Sequence, residues 1–178
     1  MYKRQGLAKA AKKSSRVAAE GLVAVATSDR KGVAVEVNSE TDFVAKNSDF
    51  QEMVKAIATA ALDVSNTDEL ASASIDGKTV ADTLTDNIAK IGENMTLRRM
   101  QTIEAERVVT YVHNSATQDM GQIGVLVAIN GDNTEFARQV AMHVAAANPQ
   151  ALSAAELDQS IVEREKNILT EQARAVSY

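Results

Sequence analysis

The chain has 178 residues, 45% of them hydrophobic and 24% charged, with a net charge of −5 and no cysteine. That length supports one domain or two small ones. The absence of cysteine excludes disulfides, thiol chemistry and cysteine metal sites and suits a reducing compartment, while a net acidic chain is poorly suited to broad nucleic-acid binding.

No apolar run reaches the ~20 residues of a membrane helix, and no secretory signal opens the chain. A cytoplasmic protein without a membrane segment is expected. Met1–Gln5 and Val176–Tyr178 resemble translated adaptor sequence, which leaves open whether they are native, and the natural protein is expected to extend at both ends. Lys9, Lys12, Lys13 and Arg16 then form a basic stretch. It has no aromatic platform beside it, so a solvated helix face is the first reading and RNA binding the second.

Residues 21–29 and 32–38 both alternate apolar with small or polar residues around the turn Asp29-Arg30-Lys31-Gly32, which predicts a β-hairpin. Ser48-Asp49-Phe50-Gln51 reads as a capping box. Behind it Phe50, Met53, Val54, Ile57, Ala58, Ala61 and Leu62 form the buried face of an amphipathic helix. A short helix is expected over 67–72. A longer one follows, with Val80, Leu84, Ile88 and Ile91 on one stripe and Gly92 just past its end. Residues 95–113 predict two strands broken near Glu104-Ala105-Glu106, and 124–130 a further strand. A helix is expected over 134–147 with Pro149 as its stop, and a last helix over 154–173 with Leu157, Ile161, Ile168 and Leu169 facing inward.

An internal repeat relates the two halves. GVAVEVN (32–38) matches GVLVAIN (124–130), and DFQEMVKAIATAA (49–61) matches EFARQVAMHVAAA (135–147). Phe50 falls on Phe136, Val54 on Val140 and Ile57 on His143, which makes His143 a structural residue by expectation. Asn38 and Phe50 lie twelve residues apart, Asn130 and Phe136 six. The first copy therefore carries six extra residues, and TDFVAK (41–46) lies among them. The unit folds without them, so they are free to carry function.

Phe43 in that insertion has two readings. It folds back to cap the core, or it stands out as a knob for a partner, since aromatics in a polar rim are common interface anchors. Asp42 has its own alternative, because Ser39-Glu40-Thr41-Asp42 fits a turn-capping pattern. Gly92 suits a left-handed helix end in any protein, Ile91 completes a core stripe, and His113 follows Val109 and Tyr111 on one strand face. Neither histidine has the neighbours that a metal site or a nucleophilic triad needs. No phosphate-binding G-x-x-x-x-G-K-[ST] loop occurs, so no nucleotide, metal or other cofactor is expected in the chain itself.

EVNSETDFVAKN (36–47), preceded by AKAAKKSSRVAAEG and followed by AKIGENMTLRRM and IGVLVAI, resembles elongation factor Ts, the guanine-nucleotide exchange factor of elongation factor Tu. The resemblance runs from about Gly6 to about Leu169. It implies an α+β fold of two related subdomains, each a small antiparallel sheet packed against helices, plus a C-terminal helix that starts a dimerisation arm. The implied divisions are 1–20 (linker after an N-terminal helical module that this sequence lacks), 21–92, 93–150 and 151–178. It further implies that Phe43 wedges between two helices of Tu, that Asp42 disturbs the contacts around the nucleotide's magnesium, and that Thr41 and Val44 hold the loop. Ile91, Gly92 and His113 would be further partner contacts. Tu, GDP-bound and nucleotide-free, is the implied partner, with a homodimer through the arm. Such a factor is not an enzyme in the covalent sense. Two other classes stay open: an RNA- or ribosome-associated module using the basic 3–16 stretch, and a hydrolase using Glu40, Asp42 and His113.

Overall fold

The computed structural model describes residues 8–28 and 30–176; Met1–Gln5, Asp29 and the last two residues, on which some of these expectations fall, lie outside the described residues. The chain divides into two compact units, 1–146 and 147–178.

The first unit is α+β. Strands β1 (Glu20–Ser28) and β2 (Lys31–Ser39) form the expected hairpin, in register from Glu20↔Ser39 to Ser28↔Lys31. Helix α1 (Ser48–Ala60) follows, then α2 (Thr67–Ser72) and α3 (Val80–Ile91). Between α2 and α3 a small hairpin, β3 (Ser74–Ile75) with β4 (Lys78–Thr79), turns through Asp76 and Gly77, both at positive φ. The Asp-Gly pair is the usual signal for that turn, and the sequence reading passed over it. Strands β5 (Met95–Glu104), β6 (Arg107–Thr117) and β7 (Met120–Ile129) lead into α4 (Thr134–Ala147).

The five long strands form one antiparallel sheet in the order β5-β2-β1-β7-β6. The two small sheets expected of two subdomains are thus joined edge to edge, through the pairs Val23↔Gly121 and Ala24↔Met120. β5 pairs with β2 along its length, so the strand that opens residues 93–150 lies in the first half of the sheet. The reason is β2: Val33, Val35 and Val37 are all buried, and an interior strand needs its backbone groups paired on both sides.

The join is also made by side chains. In a flat sheet β2 and β6, three strand spacings apart, would lie about 14 Å from each other. Instead a methyl group added at Gly32 would sit 2.4 Å from Val108 Cγ1, so the sheet folds over on itself. A methyl at Gly124 would sit 2.7 Å from Val23 Cγ1. Gly32 and Gly124 are the same place in the repeat. So are Val23, opposite Glu36, and Val108, opposite Ala128. Each hairpin thus receives the other's valine over its own glycine.

The main core lies under α1 and α3, with Phe50, Val54, Ile57, Leu70 and Val80 fully buried against β1, β2 and β5. A smaller cluster under α4 consists of Val125, Ala141 and Ala145. Helix α1 is capped by Asn47, whose side chain accepts the Phe50 amide hydrogen at 3.1 Å, and not by Ser48; Gln51 turns away to donate to the Ala45 carbonyl. His143, expected to be structural, is exposed.

The second unit contains a short turn (Ala154–Glu156) and α5 (Gln159–Val176). Asp158 accepts the Ser160 amide hydrogen at 2.8 Å, which starts the helix later than expected; the Ser160 side chain first, and its amide second, hold the Asp158 carboxyl below its ordinary pKa. Ile168 and Leu169 are exposed rather than inward, because α5 is the one long helix of this unit's described residues and has no sheet of that unit beneath it. No helix among the described residues is long and apolar enough to cross a membrane.

Candidate functional site: the presented loop

Between β2 and α1 the chain runs through Glu40–Phe43 into a single 3-10 turn, Val44–Lys46. Phe43 is 76% exposed, and Val44, next to it, is buried in the main core. The core-capping reading of Phe43 is therefore excluded: the adjacent valine does that work. The Lys46 ammonium lies 5.8 Å from the Phe43 ring centroid, a cation–π approach that steadies the ring in water.

On its N-terminal side the loop is held by Thr41. Its amide N–H donates to Glu93 Oε2 at 3.0 Å and its hydroxyl to Glu93 Oε1 at 2.7 Å. One residue earlier, Glu40 Oε1 accepts the Asn94 amide hydrogen at 2.6 Å. Ser39, fully buried, donates its hydroxyl to the Thr41 carbonyl at 3.0 Å. Asp42 is exposed, and its carboxylate makes no hydrogen bond or ion pair among the described residues, so it caps no turn. Asp42 and Phe43 are thus the two outward side chains between two fixed points, Thr41 and Val44.

The segment that grips the loop begins where α3 stops. Gly92 has φ 94°, a left-handed conformation that glycine adopts without strain, and its N–H closes on the Ile88 carbonyl. This swings the chain so that Glu93 and Asn94 face the loop. Ile91 is half-buried against the main core. Asn94, 5% exposed, donates its side-chain amide to the Arg16 carbonyl at 2.7 Å, and the Arg16 guanidinium lies 3.6 Å from Glu40. Lys13 donates to the Gly92 carbonyl. Two of the four basic residues of the 9–16 stretch are therefore engaged inside the molecule, beside the loop.

The structure thus gathers Thr41, Asp42, Phe43, Val44, Ile91 and Gly92 at one end of α3. It does not join His113 to them: on β6, exposed, its Nδ1 lies 3.1 Å from the Tyr111 hydroxyl, opposite Ile123. Glu40, Asp42 and His113 accordingly form no linked group, against the hydrolase reading. The sequence reading missed Glu93, Asn94, Lys13 and Arg16 as parts of this site. Two polar residues directly behind a left-handed glycine were the available signal, since such a pair is aimed by the turn and must find partners once buried.

A family model described as Elongation factor TS matches residues 40–177. The protein named Elongation factor Ts of Ruegeria sp. (strain TM1040) is 65% identical over 170 residues, covering 96% of this chain and 58% of the relative. Those of Ruegeria pomeroyi and Paracoccus denitrificans are 64% and 59% identical, again over 96% of this chain and 58% and 59% of their own lengths. The chain therefore spans under two thirds of the relatives it matches. With the family match covering the presented loop, α3, strands β5 to β7 and α4, the chain belongs to the elongation factor Ts family.

Proposed function

We propose that the chain is a translation elongation factor that binds elongation factor Tu carrying GDP and speeds release of the nucleotide without covalent chemistry, in the cytoplasm where Tu works. The observation that carries this reading is Phe43, 76% exposed between Thr41, held by Glu93, and the buried Val44. An apolar ring kept in water on a fixed loop is suited to insertion into a partner's pocket. Asp42, exposed beside it, would bring a carboxylate toward the nucleotide's magnesium. Exchange then follows from linkage: a factor that prefers the nucleotide-free partner weakens GDP by the same ratio by which GDP weakens the factor. Ile91, Gly92 and, on a separate surface, His113 are proposed as additional contacts. A second copy is the proposed partner for the exposed Ile168 and Leu169 of α5.

The test is GDP release from Tu with and without the chain. Phe43→Ala should leave the melting temperature nearly unchanged and weaken association by about 30- to 1000-fold. Asp42→Ala should slow release more than it weakens binding to nucleotide-free Tu. No acceleration by the unaltered chain at saturating concentration would overturn the reading.

A further inference from the structure

Both carboxylate oxygens of Glu93 are engaged by the loop, where they take both donors of Thr41, the amide at 3.0 Å and the hydroxyl at 2.7 Å. Glu40 reaches the opposite way, from the loop to the amide of Asn94 at 2.6 Å. Each strand of chain thus sends one carboxylate to the other's backbone, in adjacent steps. Asn94 is tied to the Arg16 carbonyl and Arg16 to Glu40, which closes a ring of contacts behind the grip. Hydrogen bonds to a charged acceptor are shorter and stronger than neutral ones, and a carboxylate that takes two donors from one residue fixes orientation as well as distance.

We propose that Glu93 is a positioning residue for Asp42 and Phe43, and that Glu40 returns the same grip, so that the crossed pair holds the ring in its presented pose before any partner arrives. This rests on the reading of the loop as the partner-binding element. A loop that wanders among poses binds with an affinity reduced by the fraction of time it spends in the right one. Ordering it in advance removes that loss and leaves unchanged what the ring does once inserted. Loosening the grip and removing the ring therefore have different signatures.

The experiment compares the full chain with Glu93→Ala, Glu93→Gln and Phe43→Ala in three readouts. These are amide hydrogen exchange over 41–46 in the free chain, thermal unfolding, and titration of GDP release from Tu. Glu93→Ala should speed exchange at Thr41 by about tenfold and raise the concentration for half-maximal release by about tenfold. The saturated release rate should stay at the unaltered value. Glu93→Gln should recover most of both effects, because its carbonyl oxygen still accepts the Thr41 amide while its amide donates to the Thr41 hydroxyl. Phe43→Ala should lower the saturated rate with loop exchange unchanged. The proposal is overturned if Glu93→Ala leaves loop exchange unchanged, or if it lowers the saturated rate with the loop still protected, which would make Glu93 a direct contact. Should Glu93→Ala fail to fold, Thr41→Val removes the hydroxyl arm alone and must shift exchange and half-maximal concentration in the same direction, by about threefold. If the unaltered chain does not accelerate release, the functional reading fails separately, and the grip is judged on loop exchange and unfolding.

Discussion

In both halves of the repeat an asparagine accepts the amide hydrogen of a phenylalanine three residues on, Asn47 from Phe50 at 3.1 Å and Asn133 from Phe136 at 3.0 Å. Yet Phe50 is fully buried and Phe136 is 59% exposed. The two helices begin alike and then turn different faces to the sheet. Helix α1 buries Phe50, Met53, Val54, Ile57 and Ala58; α4 buries Ala137, Ala141 and Ala145, whose counterparts in α1 are Gln51, Lys55 and Thr59. Helix α4 is rolled by roughly a third of a turn relative to α1. The difference lies in what surrounds them: α1 is covered on its far side by α3 and the β3–β4 hairpin, which a wide apolar face can reach, whereas α4 rests on Tyr111, Val125 and Val127 through a narrow stripe of alanines. Local sequence sets where a helix starts, and its neighbours set which side goes in.

The largest expected effect tests that comparison directly. Phe50→Ala should cost about 3–5 kcal/mol of stability, while Phe136→Ala should stay within about 0.5 kcal/mol, both read from denaturant unfolding. A loss above 2 kcal/mol for Phe136→Ala would break the comparison by revealing that its face is covered in solution.

The exchanged glycines should respond next. Gly32→Ala must displace Val108, itself buried, and Gly124→Ala must displace Val23, which is half-buried. Each should cost about 1–3 kcal/mol, with Gly32→Ala the greater. Adding Val108→Ala to Gly32→Ala should give a loss smaller than the sum of the two single changes, a coupling that unfolding of the double variant measures. Simple addition would mean that the two halves do not rest on this contact.

The smallest effect should be the same in both halves. Asn47→Ala and Asn133→Ala should each cost about 1 kcal/mol, because a cap acts on the first turn alone. If only Asn47→Ala is felt, the value of the cap depends on the core below it, and the two helix starts are not equivalent after all.

The long elements were legible from periodicity. The apolar stripe of Val80, Leu84 and Ile88 and the glycine behind it located α3 and its end, and the repeat located the loop as an insertion. What stayed hidden was non-local. Whether Ser48 or Asn47 caps α1 depends on a one-residue shift in where the chain leaves the 3-10 turn. That β5 pairs with β2, and that β1 reaches β7, follows from the need of an apolar strand for partners on both edges, which no window of sequence contains. For Phe43 the sequence leaves a core cap and a presented ring equally open, and burial separates them. The grip of Glu93 on Thr41 joins residues far apart in the chain, so the segment was visible and its role was not.

The narrow seam between β1 and β7 bears on the order of assembly. The β1–β2 hairpin closes across a two-residue connection, whereas Ala24 must find Met120 across most of the unit. Loop closure is entropically harder over the longer span, and along the strand edge the seam returns two residue pairs and one further backbone bond, from the Val25 N–H to the Asp119 carbonyl. The hydrogen bonds that hold the loop involve no residue beyond β5, so a nascent chain has all the partners for them once Glu104 has emerged. The second hairpin would then dock onto a half in which Phe43 is already presented, and each valine would find its glycine as the last step of folding.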